Sequence, residues 1–134
     1  MKKFFILLFA VLVAVALSGC AEQTQNGTQK TNNYINVNAT KAKELIDTTK
    51  DLVIIDVSTS YEAGHLPGAI NIPISQLESR LSQLDKSKPY LVYCHGDGPS
   101  IQGAELLAKN GFSPVYRLEG NYAAWVNSGY PIEK

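Results

Sequence analysis

Pro89-Tyr90-Leu91-Val92-Tyr93-Cys94-His95-Gly96-Asp97-Gly98-Pro99-Ser100 is the stretch of sequence that decides the fold of this chain. Its first part, up to Tyr93, is almost wholly apolar and predicts a strand that is buried on both faces. Small and polar residues follow, which predict a loop, and the residues from Ser100 onward predict a helix. A strand that passes through a short loop into a helix is the repeating unit of an α/β fold.

Cys94 lies at the junction between this strand and the loop. A sulfur atom in such a place faces unpaired backbone N–H groups and the positive end of the following helix dipole. Both features favour a thiolate over a thiol, and the thiolate is the nucleophilic form of cysteine. The sequence therefore predicts that Cys94 is a reactive cysteine.

The rest of the chain continues the alternation of strands and helices. Asn38 and Ser75 are the predicted N-caps of two helices, and a single helical turn is predicted at Tyr61-Glu62-Ala63. We expect an α/β fold with a five-stranded, mostly parallel sheet that is flanked by helices on both faces. Sites in such sheets lie beyond the carboxyl ends of the strands, which is where Cys94 is predicted to be. The predicted strands are Ile35–Val37, Leu52–Val57, Ala69–Ile72, Tyr90–Cys94 and Val115–Leu118, and the later helices are Ser100–Lys109 and Tyr122–Asn127.

The amino terminus has the features of a targeting segment. Two lysines precede an apolar stretch of fourteen residues, Phe4–Leu17, which is short for a membrane span and typical of a signal peptide. Leu17-Ser18-Gly19-Cys20 resembles the cleavage box of bacterial lipoproteins, and this resemblance implies a lipid on Cys20. An uncleaved anchor and an ordinary secretory signal are the alternatives. We expect an exported protein whose domain lies on the extracytoplasmic side, anchored to a membrane by lipid.

These features divide the chain into three parts: a signal peptide at 1–19, a flexible tether at 20–33 that begins with lipidated Cys20, and one domain at 34–134. Twelve basic and twelve acidic residues balance, and no basic stripe predicts nucleic-acid binding. Two cysteines and two histidines make a structural zinc site improbable, and with Cys20 lipidated no internal disulfide can form. We expect a monomer without metal or cofactor.

Several motifs of the predicted domain resemble those of one family. Gly64–Pro73 is similar to the signature GHIPGAxNIP of rhodanese domains, and Asp56-Val57 is similar to the start of the family's DVR segment. Tyr93-Cys94, with its loop and Ala104–Leu107, resembles the active-site strand, loop and helix. Leu118–Trp125 resembles the closing motif LxGGxxAW. The chain is thus identified as a member of the rhodanese-like family, of the single-domain type.

The resemblance implies a sulfurtransferase that carries sulfane sulfur as a persulfide on Cys94. A small anionic donor, thiosulfate or polysulfide, would supply the sulfur, and a nucleophilic acceptor would remove it. The implied active-site loop is His95, Gly96, Asp97, Gly98, Pro99 and Ser100, with Asp56 and His65 in supporting positions. The glycines are expected to let the backbone curl so that N–H groups converge on the sulfur. His95 is either a base or cation beside the sulfur or an exposed loop residue, and Ser100 either donates to the sulfur or caps the helix.

The chain departs from the family pattern at the positions that carry positive charge. Pro99 stands where the family loop has arginine, Ser58 replaces the arginine of DVR, and Asp97 adds a negative charge. Both arginines of the chain, Arg80 and Arg117, lie outside the loop. We therefore expect weak activity with thiosulfate. The alternative is a catalytically impaired module that binds a partner protein or senses sulfur species or oxidants.

Two other functions are disfavoured. Phosphatases and arsenate reductases of related fold have arginine six positions after the cysteine, where this chain has Ser100. A redox thiol would need a resolving cysteine near Cys94, and none is present.

Overall fold

A computed structural model describes residues 30–31 and 33–134 of the chain. The predicted signal peptide at 1–19, Cys20 and most of the tether lie outside the described residues. In the described ranges no helix is both long enough and apolar enough to cross a membrane. The strands are β1 (Lys30–Thr31), β2 (Tyr34–Val37), β3 (Val53–Asp56), β4 (Ile70–Asn71), β5 (Tyr90–Tyr93) and β6 (Val115–Leu118), and the helices are α1 (Ala39–Thr48), α2 (Ile74–Arg80), α3 (Asp97–Lys109) and α4 (Asn121–Asn127).

The strands form one sheet in the order β1-β2-β6-β5-β3-β4. The five strands from β2 to β4 in this order are parallel, which confirms the predicted parallel sheet. The short strand β1 adds an antiparallel edge beside β2, within the segment predicted to be a tether. Strand β6 lies between β2 and β5, so residues from the two ends of the domain become neighbours. Asn36 is paired with Arg117 in this register.

Hydrophobic cores cover both faces of the sheet, as the apolar run of β5 predicts. Tyr90 and Val92 belong to one core, which also contains buried residues of α2 and α3. Leu91 and Tyr93, which point to the opposite face, belong to a second core with residues of α1 and α4. Each large apolar side chain buried in this way contributes about 1.5–3 kcal/mol. Strand β5 is thus held from both sides, and its carboxyl end, where Cys94 follows, is fixed in position.

The start of α1 agrees with the sequence, those of α2 and α3 differ, and α4 begins at Asn121, one residue before the predicted start. Asn38 is the N-cap of α1 and accepts a hydrogen bond from the backbone N–H of Lys41, as predicted. Ser75 is not a cap, because α2 begins at Ile74 with Pro73 at its N-cap position. Helix α3 begins at Asp97, three residues before the predicted start. Proline is tolerated in a first helical turn because no hydrogen bond is required from its nitrogen there.

The segment between β3 and β4 contains the predicted helical turn, a 3-10 helix at Tyr61–Ala63. After this helix, His65 forms an antiparallel bridge with Glu133 near the carboxyl terminus. The backbone N–H of each residue donates to the carbonyl oxygen of the other. Trp125 of α4 supports the same terminal segment by donating its indole N–H to the carbonyl of Pro131 at 2.8 Å. These bonds attach the last residues of the chain to the turn that follows the 3-10 helix.

Candidate active site

Cys94 follows the last residue of β5 and lies at the carboxyl edge of the parallel sheet. It is a free cysteine with 4% of its surface exposed. Its backbone N–H donates to Asn121 Oδ1 at 3.2 Å, and its carbonyl oxygen accepts a hydrogen bond from the backbone N–H of Tyr122 at 3.0 Å. Both backbone groups of the cysteine are therefore attached to the first turn of α4, which fixes where the sulfur lies.

The loop after Cys94 is shorter than predicted because α3 begins early. Gly96 is the N-cap in an extended conformation, and no side chain caps the helix. The first N–H groups of a helix have no partner within it, so this end is a place where an anion is stabilised. Because Pro99 has no N–H, the backbone donors at this helix start are the N–H groups of Gly96, Asp97 and Gly98.

The expectation that glycine is needed to curl the loop is not supported by its geometry. Neither Gly96 nor Gly98 is among the glycines with positive φ. A Cβ atom at either position would meet no atom within 4 Å. Both positions could therefore accept a side chain without a clash, so the loop does not require glycine at either of them.

A buried arginine contacts the loop, contrary to the expectation that positive charge is missing there. Arg117 is 5% exposed and extends from β6 to the first turn of α3. Its Nη1 lies 3.3 Å from Asp97 Oδ1 and donates to Ser100 Oγ at 3.1 Å, while its Nε donates to Asn36 Oδ1 at 2.8 Å. The guanidinium therefore balances the charge of Asp97. The sequence gives no direct signal of this contact, because Arg117 follows Asp97 by twenty residues.

Asn121 connects this arginine network to the cysteine. Its side chain is buried, and Nδ2 donates to Asp97 Oδ1 at 2.8 Å while Oδ1 accepts from Cys94 N. The residue has φ +56, a left-handed conformation that asparagine adopts more readily than most residues. It occupies the second glycine position of the LxGGxxAW pattern that Leu118–Trp125 resembles. That replacement is the sequence signal by which this residue could have been found.

Ser100 has neither of the two roles that the sequence leaves open. Its hydroxyl donates to the carbonyl oxygen of Asp97 at 3.1 Å and accepts from Arg117. Ser100 is fully buried inside α3, where Gly96 and not Ser100 is the N-cap. The Ser100 hydroxyl therefore links the first turn of α3 to the guanidinium of Arg117.

Asp56 and His95 come together on the other side of Cys94. Asp56 ends β3 and has no exposed surface, and its Oδ1 accepts a hydrogen bond from the backbone N–H of Ser58 at 2.8 Å. Its Oδ2 lies 3.5 Å from His95 Nε2, outside the range of a well-formed hydrogen bond. The imidazole of His95 stacks on the ring of Tyr122, with centroids 4.3 Å apart and an interplanar angle of 16°.

The side chain of Tyr93 also interacts with the Asp56 carboxylate. Its hydroxyl oxygen accepts a hydrogen bond from the backbone N–H of Leu66 at 3.0 Å. Burial raises the pKa of Tyr93 far above its usual value, and the negative charge of Asp56 raises it further. The tyrosine is therefore neutral at physiological pH.

His65 and Ser58 lie in the connection between β3 and β4. The ring of His65 stacks on Tyr61 at 3.8 Å, and its Nδ1 lies 3.1 Å from the carbonyl oxygen of the same residue. Ser58, which replaces the arginine of DVR, is buried and hydrogen-bonded through its backbone to Asp56 and to the side chain of Asn71. These contacts stabilise the connection between β3 and β4.

Comparison with known proteins relates the chain to sulfurtransferases. It is 35% identical over 94 residues to the thiosulfate sulfurtransferase GlpE of Coxiella burnetii. The aligned region covers 69% of this chain and 87% of that protein. It is 30% identical over 86 residues to a sulfurtransferase of Allochromatium vinosum, covering 63% and 80% of the two chains. It is 39% identical over 74 residues to the uncharacterized protein YqhL of Bacillus subtilis, covering 54% of this chain and 59% of that protein.

Solved structures agree with the fold. The Alr3790 protein of Anabaena superposes with a TM-score of 0.66 at 36% identity, covering 72% of this chain and 81% of that chain. A rhodanese-related protein of Thermoplasma volcanium gives a TM-score of 0.65 at 31% identity, covering 73% and 96%. The family model of the rhodanese-like domain matches residues 38–128. The chain therefore belongs to the rhodanese-like domain family.

Proposed function

We propose that the chain is a sulfurtransferase that carries sulfane sulfur as a persulfide on Cys94. The observation that carries this proposal is the position of a free cysteine between the end of β5 and the uncapped start of α3. The negative sulfur atoms of a thiolate and of a persulfide are both stabilised by such a helix start. The network of Asn121, Asp97 and Arg117 supports this role because it fixes the backbone on both sides of the sulfur.

The chemistry needs no cofactor. The Cys94 thiolate attacks the outer sulfur of thiosulfate, a new S–S bond forms on the cysteine, the S–S bond of thiosulfate breaks, and sulfite leaves with the electron pair. A nucleophilic acceptor such as cyanide then attacks the outer sulfur of the persulfide and leaves as thiocyanate, which restores the thiolate. Each step transfers one sulfur atom without net oxidation.

Turnover with thiosulfate is expected to be weak, because the arginine that contacts the loop is already engaged. The charge of Arg117 is shared with Asp97, whose side chain is 71% exposed at the start of α3. A dianionic donor therefore meets an exposed carboxylate beside the helix start. Loss of one charged contact to an anion costs on the order of 2–4 kcal/mol in the transition state. Polysulfide or another donor of lower charge density is the preferred partner in this proposal.

Intact-mass spectrometry tests the proposal. The full chain with Cys20→Ser has Cys94 as its single thiol, and it is incubated with thiosulfate or with polysulfide. We expect one extra sulfur atom that cyanide removes and that is absent from the same chain with Cys94→Ser. The proposed function is wrong if no donor leaves a cyanide-labile sulfur on Cys94.

A pair of variants at Pro99 tests the reason for weak turnover. Pro99→Arg restores both a backbone N–H and a positive charge in the first turn of α3, whereas Pro99→Gln restores the N–H alone. If missing charge limits the reaction, Pro99→Arg raises thiosulfate turnover and Pro99→Gln does not. Equal rates in both variants and the parent would show that donor charge is not the limit.

A catalytically impaired module for partner binding or for sulfur or redox sensing is the second candidate. The low exposure of Cys94, 4%, favours it, because a carrier sulfur must be reached by both donor and acceptor. The same mass experiment separates the two candidates. A module of this kind leaves Cys94 unmodified by donors that load other sulfurtransferases under identical conditions.

We further propose that the protein is exported and anchored to a membrane by lipid on Cys20, with the domain on the extracytoplasmic side. The support is the basic start, the apolar stretch Phe4–Leu17 and the box that ends at Cys20. Metabolic labelling with palmitate in a bacterial host should label the membrane-bound protein, and Cys20→Ser should abolish the label. A processed and soluble wild-type protein would indicate an ordinary secretory signal, and an unlabelled membrane protein would indicate an uncleaved anchor.

A further inference from the structure

The loop that carries Cys94 is closed by a side chain from another element. No side chain caps the start of α3 at Gly96, and a Cβ atom at Gly96 or Gly98 would meet no atom within 4 Å. At the start of the loop, the backbone N–H of Cys94 donates to Asn121 Oδ1 at 3.2 Å. At its end, Asp97 Oδ1 accepts from Asn121 Nδ2 at 2.8 Å. One buried amide on α4 therefore binds both ends of the loop.

The amide of Asn121 is oriented by the carboxylate of Asp97. The amide nitrogen can only donate, so it needs an acceptor opposite it, and Asp97 Oδ1 supplies this acceptor. With Nδ2 bound in this way, the amide oxygen faces the N–H of Cys94. Gly120 has φ +76 and Asn121 has φ +56, so two consecutive left-handed residues bring the side chain to the loop. Asp97 thus acts on Cys94 through Asn121.

The carboxylate of Asp97 also presents a negative charge to solvent. Its Oδ1 is bonded, but the side chain as a whole is 71% exposed. Arg117, which balances this charge, is 5% exposed, so the carboxylate is the more accessible of the two charges. Asp97 lies in the first turn of α3, where free N–H groups would otherwise stabilise an incoming anion. An anion that approaches this helix start therefore meets a negative charge.

We propose that Asp97 has two roles at this site: it is a positioning residue that holds the Cys94 loop through Asn121, and it selects against anionic donors through its exposed charge. The donor class that the site favours is then a sulfane-sulfur compound of low negative charge, and the dianion thiosulfate is disfavoured. The inference rests on the proposed function only for the identity of the donor. The closed loop and the charge can both be measured without sulfur transfer.

Amide hydrogen exchange measures the positioning role. The full chain with Cys20→Ser is isotope-labelled, and NMR follows the exchange rate of the Cys94 N–H. Asp97→Ala removes the acceptor for Asn121, so we expect this exchange to become roughly fivefold faster, the factor of one hydrogen bond of modest strength. Asp97→Asn keeps an oxygen that can accept, so it should retain most of the protection. An unchanged exchange rate in a folded Asp97→Ala variant would overturn the positioning role.

Asn121→Gly shows whether the two residues act together. The Cys94 N–H loses its acceptor in this variant, so adding Asp97→Ala should speed the exchange no further. Effects that multiply in the double variant would contradict a role of Asp97 through Asn121. If Asp97→Ala does not fold, Asn121→Gly decides alone, since an unchanged Cys94 exchange rate in it would overturn the same role.

Alkylation with a charged and a neutral reagent measures the selective role. Cys94 is the single thiol of the Cys20→Ser chain, and in both reactions its thiolate displaces iodide and forms a thioether. Iodoacetate is an anion, and iodoacetamide is neutral and of similar size. The thiolate content and the access to the sulfur therefore cancel in the ratio of the two rates. Asp97→Asn and Asp97→Ala both remove the negative charge, and each should raise the iodoacetate-to-iodoacetamide ratio roughly threefold, the effect of one charge at a solvated site.

Asp47→Asn is the matched control, because Asp47 is an exposed aspartate that pairs with Lys43 on α1. It should leave the alkylation ratio and the exchange of the Cys94 N–H unchanged. A ratio that Asp97→Asn does not raise would overturn the selective role. Failure of the proposed function is recognised separately, because a chain that forms no persulfide still gives both measurements.

Discussion

The two sides of Cys94 are built differently. On the side of β6 and α4, Arg117, Asn121, Ser100 and Asp97 are joined by hydrogen bonds of 2.8–3.3 Å, and each side chain has a partner. On the side of β3, the Asp56 carboxylate is buried with one oxygen lacking a hydrogen bond, and its neighbour His95 is held by stacking and by a 3.5 Å contact.

This difference separates two tasks, positioning the cysteine and setting the charge around it. The bonded side fixes the backbone of the nucleophile and contains charges that cancel. The other side contains a buried carboxylate and an imidazole 3.5 Å from it, on the residue that directly follows the nucleophile. Substitutions on the bonded side should therefore act on the stability of the fold, and those at His95 should have little effect on stability.

The largest effect is expected from Arg117→Met. Methionine leaves Asn36 Oδ1 and the Ser100 hydroxyl without their charged donor, and Asp97 keeps its hydrogen bond from Asn121 but loses its countercharge. We expect the free energy of unfolding to fall by about 3 kcal/mol, less than for a fully buried pair because Asp97 can be hydrated. Denaturant-induced unfolding measures the change.

Arg80→Met is the matched control. Arg80 ends α2, and its Nε donates to Gln83 at the surface. Its substitution should change stability by less than about 0.5 kcal/mol. Similar losses for both arginines would contradict a special role for the buried network.

Tyr93→Phe should be next in size, and it acts on the Asp56 side. Phenylalanine fills the same volume but leaves the buried N–H of Leu66 without its acceptor. Leaving such a donor unsatisfied costs about 2 kcal/mol. Thermal or denaturant unfolding at neutral pH checks this loss, and a neutral effect would show that water or another group replaces the acceptor.

The same variant should alter the response to alkaline pH. The pKa of Tyr93 is raised in the folded state, so above its ordinary value of 10.0 the unfolded chain releases a proton that the native chain retains. Stability is therefore present in full below about pH 10 and is lost as pH rises further. Tyr93→Phe should weaken this loss. Tyr90, whose pKa is raised mainly by burial, should keep its own part of the dependence.

Asn121→Gly tests the bonded side without adding bulk. Glycine accepts φ +56 without strain but removes the acceptor of Cys94 N–H and the donor to Asp97. We expect a loss of about 1 kcal/mol in stability. The rate of persulfide formation should fall roughly tenfold, because the nucleophile is no longer held in place. Asn110→Gly, at the exposed C-cap of α3, is the control and should leave the rate unchanged.

The smallest change in stability is expected from His95→Gln. The side chain is 23% exposed, and its 3.5 Å contact with Asp56 Oδ2 is not a well-formed hydrogen bond that glutamine would remove. Unfolding free energy at neutral pH should change by less than about 0.5 kcal/mol. A loss as large as that of Arg117→Met would remove the distinction between the two sides of the site.

The fold could be predicted from the sequence because its signals are local. The apolar run before Cys94 indicates a doubly covered strand, and Asn38 marks a helix start that the structure confirms. The sequence predicts the start of α3 three residues too late, since Gly-Asp-Gly-Pro is typical of a loop. Asp97 begins the helix because its carboxylate is satisfied by Arg117 and Asn121, which are twenty or more residues away in the chain.

The site was predicted in part. The position of Cys94 follows from one strand and one loop, but the partners of the loop come from strands and helices elsewhere in the sheet. Arg117 occupies a short strand whose composition shows only alternation, and its contact with Ser100 depends on the placement of β6 beside β5. Asp56 meets His95 for a similar reason, since β3 is the other neighbour of β5. Both contacts, Arg117 with Ser100 and Asp56 with His95, depend on the order of the strands in the sheet. Composition does not reveal that order.

The pairing of β2 with β6 has a consequence for the order in which the protein is assembled. Asn36 and Arg117 are 81 residues apart in the chain, and their hydrogen bond requires the last strand to insert between strands made much earlier. Contacts of such long range form late, since closing the long intervening loop costs entropy before any contact is gained. A growing chain that has reached Cys94 but not Arg117 and Asn121 therefore has its nucleophile without the residues that position it. The complete site around Cys94 forms only when the final strand and helix have been synthesised and folded.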